Sequence, residues 1–373
     1  MTRPSSLPTP VLGIAALAGP VLFALSVVFL SMRPSALAVA AAAVILVCVV
    51  AADAIIIARD HWGLITVVLA MTGALVLFIT SYLPAPLSPP APLVDPLPPA
   101  SPPPGMAAFQ LPTGVTHRTA AFGYRGGSPL DWRDFTMTSV LVTHPRGDLL
   151  IDTGLGRTID EQFRTLMPGF LRMTTTYEHG LSAAEQLDAA GYDRKRLKGI
   201  ILTHAHWDHA SGGPDFPETP ILITPSEHRF VEQGGWITAF ARASSSARFR
   251  EYEFEGGRYL GFPRSHDFYG DGSIVAVPAP GHTPGSVIVF VTLPVQSRFA
   301  FVGDLIWQLE GVTRRELRTW LIGKVSGENA DEVRENILRM VAVSARYPAI
   351  TIVPAHDSRG FTRFPVLEAS RIR

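Results

Sequence analysis

Three long apolar runs, residues 11–32, 36–58 and 63–83, fill the start of this 373-residue chain. Each is long enough to cross roughly 30 Å of hydrocarbon as a helix. Short polar joints separate them, Arg33-Pro34-Ser35 and Arg59-Asp60-His61-Trp62. Trp62 and Tyr82 fall where interfacial aromatics anchor a span. Pro20 would kink the first run without forbidding it. A cleaved signal peptide is the poorer reading of that run, because its apolar stretch is too long and two more runs follow. The expectation is a membrane domain over residues 1–83 with three transmembrane helices, multi-pass in the cell membrane, with the lipid bilayer as partner. Asp53 is the one ionisable residue inside a run; it sits near the end of its span and reaches the interface. Arg3 and Arg59 against Arg33 place the N-terminus inside, and the rest of the chain on the non-cytoplasmic side.

Charge is divided as sharply as hydropathy. Residues 1–105 hold three Arg, no Lys and three Asp, so almost all of the 64 charged residues lie beyond them. Lys+Arg and Asp+Glu are equal at 32 each, which gives no electrostatic case for binding nucleic acid. The single cysteine, Cys48, lies in an apolar run, so neither a disulfide framework nor a cysteine-built metal site is available. Between the two regions, eleven of the twenty-one residues 84–104 are Pro. That density excludes helix and central strand. Residues 84–105 therefore read as a Pro-rich linker in polyproline II conformation, a semi-rigid stalk holding the next domain off the bilayer.

Residues 106–373 read as a layered α/β (α+β) domain, expected to fold and act without the membrane part. Short β-rich runs at 138–143, 148–151, 199–202, 221–223, 273–277, 286–291, 300–302 and 350–353 predict strands. Ser182-Ala-Ala-Glu185 is a capping box opening a helix that Gly191 ends. Asn329-Ala-Asp-Glu332 opens a second helix, running to about Tyr347, with Val333, Ile337, Met340 and Val341 on one face.

The chemistry gathers at predicted strand ends. Directly after 199–202 comes Thr203-His204-Ala205-His206-Trp207-Asp208-His209. Three imidazoles and a carboxylate so close together are costly neighbours if buried without a task. Imidazole nitrogen and carboxylate oxygen are also the zinc ligands left when thiolate is absent. Three further strands lead to Gly281-His282-Thr283-Pro284-Gly285, to Gly303-Asp304 and to Pro354-Ala355-His356-Asp357. Ligand sites in α/β sheets collect at carboxyl ends of strands. No Ser stands in a Gly-x-Ser-x-Gly elbow and no Cys is at hand as a nucleophile, which points to metal-activated water acting on a small-molecule substrate.

This ordered set resembles the metallo-β-lactamase-fold metallohydrolases, over most of residues 106–373. The resemblance implies an αββα sandwich with two Zn²⁺ at one edge, Fe or Mn being alternatives. By that resemblance His204, His206 and His282 bind the first metal, Asp208, His209 and His356 the second, and Asp304 bridges them. Asp208 would also act catalytically, holding and shuttling a proton. Asp152, in Leu149-Leu-Ile-Asp152-Thr-Gly154, would orient the ligand loops. The stretches Val140–Asp148, Ile151–Gly154 and Pro354–Asp357 are similar to the acyl-homoserine-lactonase-like branch. That branch carries a Tyr three residues after the bridging Asp; here Trp307 stands there, a candidate substrate-facing residue offering one N–H and no hydroxyl. Weak lactonase activity is expected, with Trp307→Tyr raising it. Ester, thioester and phosphodiester hydrolysis would use the same centre. Two other classes stay open: an iron-dependent redox enzyme on the same fold, and a non-enzymatic membrane sensor. Arg314, Arg315 and Arg318 read either as a grip on an anionic substrate or, more simply, as a solvated helix face.

Overall fold

The computed structural model describes residue 73, residues 80–244 and residues 248–367. The three expected spans lie almost wholly outside the described residues, as do Asp53, His61 and Trp62. Among the described residues no helix is long and apolar enough to cross a membrane. The chain divides between Leu83 and Pro84 into two units, and the second is the one built up below.

Among the described residues, twelve strands form two sheets. The first holds β1 (Ala107–Thr119), β2 (Trp132–Thr143), β3 (Asp148–Ile151), β4 (Glu178–His179), β5 (Leu197–Ile201), β6 (Ile221–Ile223) and β7 (Phe249–Glu251), in the order β4-β1-β2-β3-β5-β6-β7. The second holds β8 (His266–Asp267), β9 (Ile274–Pro278), β10 (Val287–Thr292), β11 (Arg298–Phe301) and β12 (Ile350–Val353), in the order β12-β11-β10-β9-β8. Inner strands are apolar on both faces, as they must be when each sheet is covered twice.

Alternation along each strand divides the core into layers. Leu149, Ile151 and Ile201 of the first sheet meet Val287, Val289, Val291, Phe301 and Val353 of the second. The intervening residues point outward: Leu150 and Ile200 pack under helix α1 (Ala183–Ala189). Ile288 and Phe290 pack under the long helix α3 (Ala330–Arg346) through Val333, Ile337, Met340 and Val343. A fully buried side chain of this kind contributes about 1.5–3 kcal/mol. The result is a four-layer αββα sandwich, as expected. Helix α1 starts at a capping box on Ser182 and Glu185, and α3 at an Asn329 cap.

Two expectations need correction. The long first strand went unpredicted because Pro112 and Gly114 interrupt its pattern; the pairing of β1 with β2 carries an irregularity between those two residues. The Pro-rich segment 84–104 is not a stalk held clear of the domain. Leu87 and Leu93 pack against the α3 side of the core. Asp95 accepts a hydrogen bond from Gly261 N at 2.8 Å, and Ser101 N donates to Asp271 O at 2.7 Å. An extended proline-rich chain keeps its few N–H groups and all its carbonyls unpaired, and here the domain surface satisfies several of them. The body that includes the sandwich therefore begins at residue 84, not 106.

Candidate metal centre

Strand ends deliver the chemistry to one edge of the sandwich: Asp152 after β3, Thr203–His209 after β5, His282 after β9, Asp304 after β11 and His356 after β12. Gly303 adopts φ +51°, and a Cβ there would lie 2.9 Å from Thr203, so only glycine lets Asp304 approach the histidine loop so closely.

All seven predicted ligand residues come together. Three groups present ligand atoms within 4.8 Å of one another: His204, His206 and His282; His204, His209 and Asp304; Asp208, His209 and His356. Asp304 stands between them. Its Oδ1 lies 3.1 Å from Nε2 of both His209 and His356. Its Oδ2 lies 3.2 Å from His356 Nε2, 3.4 Å from His282 Nε2 and 3.9 Å from His204 Nε2. His356 Nε2 is also 3.4 Å from Asp208 Oδ2.

These atoms fit a metal centre better than a hydrogen-bond network. The Nε2 atoms of His204, His206, His209 and His282, and Oδ1 of Asp304, are buried without a hydrogen-bond partner among the described residues. Five orphaned polar atoms converging on one place would be prohibitive in an ordinary core. The far nitrogens, by contrast, are engaged. His209 Nδ1 faces Asp152 Oδ2 at 2.8 Å, His282 Nδ1 faces Glu328 Oε1 at 2.7 Å, and His356 Nδ1 faces Thr136 O at 2.7 Å. A hydrogen bond at Nδ1 fixes tautomer and ring direction and leaves Nε2 as a lone-pair donor.

Electrostatics agree. Burial, helped by neighbouring imidazoles, holds His204 and His206 well below the usual histidine range, in the neutral form a metal requires. Burial works to raise Asp304, but the facing imidazoles of His356, His209 and His204 outweigh it and hold the carboxyl well below its ordinary value. His209 shifts upward: burial opposes the charge, but Asp152 and Asp304 on either side prevail. A cation bound here would take the place of that proton.

Asp152, expected to orient the ligand loops, bonds Thr203 and His209. Its carboxylate accepts from Thr203 N at 2.7 Å, Thr203 Oγ1 at 2.8 Å and His209 Nδ1, with its own backbone at φ +55°. Trp307, the candidate substrate-facing residue, lies buried beside the cluster. Its indole N–H donates to Asp304 Oδ2 at 2.7 Å, and its ring stacks on Phe122 with centroids 5.0 Å apart. Arg318 is neither an anion grip nor a solvated face: it is buried, its guanidinium lies 4.7 Å from the Trp307 ring centroid, and it bonds Glu328. Arg315 is spent on Leu87 O, and Arg314 lies over Tyr124.

Sequence reasoning missed two carboxylates. Glu328, its side chain 6% exposed, holds His282. Glu227, in helix α2 (Pro225–Gln233), accepts from Ala205 N at 2.7 Å, Thr283 Oγ1 at 2.7 Å and Gly285 N at 2.9 Å. It thus ties the loop of His204 and His206 to the loop of His282. Thr224-Pro-Ser-Glu227 reads as a helix-opening pattern; Thr224 does cap Glu227 N, but the carboxylate turns away to the two loops.

A family model described as the metallo-beta-lactamase superfamily matches residues 133–356. The chain belongs to this superfamily. As a member it is a metallohydrolase, and it is lactonase-like in its relatives. An N-acyl homoserine lactonase, AttM, from Rhizobium radiobacter is 24% identical over 227 residues, covering 60% of this chain and 82% of that protein. A probable metallo-hydrolase of Mycobacterium tuberculosis is 30% identical over 237 residues, covering 58% of this chain and 73% of its own length. Among solved structures, an N-acyl homoserine lactone hydrolase with the product N-hexanoyl-L-homoserine at its catalytic metal centre superposes with a TM-score of 0.55. That likeness, at 17% identity over 69% of this chain and 96% of the other, is one of fold.

Proposed function

We propose that this superfamily member is a binuclear zinc hydrolase that opens a lactone or cleaves a comparable carboxyl ester of a small molecule. The observation that carries the reading is Asp304, whose one carboxylate meets imidazoles of both sets, His209 and His356 on one side and His282 and His204 on the other. His204, His206 and His282 would hold one ion and Asp208, His209 and His356 the other, with Asp304 shared. Zinc bound there supplies Lewis acidity and lowers the pKa of water to about 7.

The protein's own contribution is positioning, dryness and a proton acceptor. Asp152, Glu328 and Thr136 O fix the rings of His209, His282 and His356. The Trp307 ring beside His356, at 6.0 Å, and the Phe230 ring beside His206, at 6.3 Å, wall the cluster with apolar surface, where charge interactions are stronger than in water. Asp208, its side chain 12% exposed against 4–6% for His356 and Asp304, is the carboxylate best placed to exchange a proton with a substrate. As the water oxygen adds to the carbonyl carbon, Asp208 takes the proton; as the acyl C–O bond breaks, it returns the proton to the leaving alkoxide. The similarity to AttM over most of that protein's length supports a lactone over a phosphodiester.

The proposal includes a membrane tether formed by the first 83 residues, supported by three apolar runs of spanning length, with the hydrolase domain on the non-cytoplasmic side. Carbonate extraction and protease protection of the full-length protein test that part. Turnover of acyl lactones, a thioester and a phosphodiester by zinc-loaded full-length protein, with elemental analysis, tests the rest. About two zinc ions per chain and acid release from the lactone are expected. One ion, or iron with no hydrolysis of any substrate, overturns the reading.

A further inference from the structure

The proline-rich segment makes its first contacts with the loop that backs the metal cluster. Ala85 N donates to both carboxylate oxygens of Glu316, at 3.0 and 3.1 Å. Leu87 N donates to Arg315 O at 2.8 Å, and Arg315 Nε returns a bond to Leu87 O at 2.9 Å. Arg315 holds φ +58° without being glycine, a conformation that persists only when its surroundings impose it. Glu316 is only 3% exposed, so its carboxylate depends on donors from its neighbours.

Two residues further along stands Arg318, which reaches two of the ligand residues, His282 and Asp304. One of its guanidinium nitrogens bonds Glu328, and Glu328 accepts from His282 Nδ1 at 2.7 Å. Its cationic face lies over Trp307, whose N–H holds Asp304. The other flank of the loop is fixed by Arg125 N, which donates to Leu317 O at 2.9 Å. His282 and Asp304 are therefore braced through a single arginine, and the loop carrying that arginine is pinned by residues 85 and 87.

We propose that Ala85–Leu87 is a positioning element of the metal centre, acting through Arg315, Glu316 and Arg318, so that the segment joining the N-terminal third to the domain also shapes the site. A proline-rich chain suits this task because it is extended before it docks and loses little conformational freedom in docking. The inference rests on the reading that the cluster binds metal, but not on the choice of substrate.

Metal affinity, measured on the full-length protein by competition with a chelating dye, tests this without any turnover. Ala85→Pro with Leu87→Pro removes both N–H donors while keeping the chain extended. This variant should bind Zn²⁺ several-fold more weakly and shift the visible absorption of the Co²⁺-loaded protein. Arg318→Lys should weaken binding by about 10–100-fold, the usual effect of losing a ligand's hydrogen-bonding support. Asp95→Asn, which loosens a different anchor of the segment at Gly261, should leave affinity and spectrum unchanged. Wild-type behaviour of the double variant beside a weakened Arg318→Lys removes the segment from the brace. Wild-type behaviour of Arg318→Lys removes the brace itself. Wild-type protein that takes up no metal overturns the metal reading, and this inference with it.

Discussion

The indole N–H of Trp307 donates to Oδ2 of Asp304 at 2.7 Å, so the one polar atom of that side chain is committed to the carboxylate at the middle of the ligand cluster. The donor that the sequence offers to a substrate is thus held by that carboxylate. Trp307→Phe keeps most of the stack on Phe122 and removes only the donor. Metal affinity should fall by about 10-fold or more, as for other lost ligand partners. Trp307→Tyr should behave likewise rather than raise lactonase activity, because a phenol has a different reach. A Tyr variant with higher lactone turnover and undiminished zinc binding would show that the indole is dispensable at Asp304.

Removing Asp304 should cost more than removing any imidazole. The His204–His206–His282 group keeps its internal geometry without it, but the His204–His209–Asp304 group disappears and the second set loses its nearest carboxylate. Asp304→Ala should drop metal content from about two ions per chain toward one or none and abolish hydrolysis. His206→Ala should affect only the first position. Elemental analysis of both variants decides, and two ions retained by Asp304→Ala would contradict the bridging assignment.

Asp152→Asn separates charge from backbone. Asn tolerates the left-handed conformation that Asp152 adopts at φ +55°, so the turn after β3 should survive. The amide cannot replace a carboxylate that accepts from Thr203 N, Thr203 Oγ1 and His209 Nδ1 together. The expected result is a loss of about 10–100-fold in metal affinity, together with a lower unfolding temperature of the metal-free protein, where the Asp152–His209 pair is buried. A variant that unfolds early yet binds zinc normally would reassign Asp152 to stability alone.

What could be read from the sequence was what is written in contiguous residues. The His204–His209 string, the Gly281–Gly285 turn and the strands β3, β6 and β12 are local patterns, and they stand where expected. What escaped is carried by partners distant along the chain. Glu227 meets Ala205 from 22 residues away and Thr283 from 56; Glu328 meets His282 from 46. A glutamate on an otherwise polar helix face looks the same in sequence whether it is solvated or buried under two loops. Trp307 and Arg318 illustrate the same limit: the chemistry each can offer is plain from its type, but the partner it meets is fixed only by the fold. The proline-rich segment was read correctly as neither helix nor strand and wrongly as free, because composition excludes regular structure but does not say which surface the chain lies against.

Glu227 gives a prediction with a definite sign in pH. Burial, partly offset by the bonds from Thr283, Ala205 and Gly285, pushes its carboxyl up to about 7 from an ordinary value of 4.5. Between those pH values the folded state holds more protons than the unfolded state. Its contribution to stability therefore falls as pH rises from about 4.5 to 7 and is level above that, by at most about 3 kcal/mol. Glu227→Gln has no such slope. It instead carries a constant penalty of about 1–3 kcal/mol, because a buried donor such as Gly285 N–H loses its acceptor. The variant should accordingly be clearly less stable than wild type at pH 5, and the gap should narrow by pH 8. Urea unfolding of both metal-free proteins at the two pH values measures this difference directly, since the linkage of every other group cancels between them. A gap that stays constant or widens toward pH 8 would mean that Glu227 is ionised in the fold throughout, held as an ordinary carboxylate by its three donors.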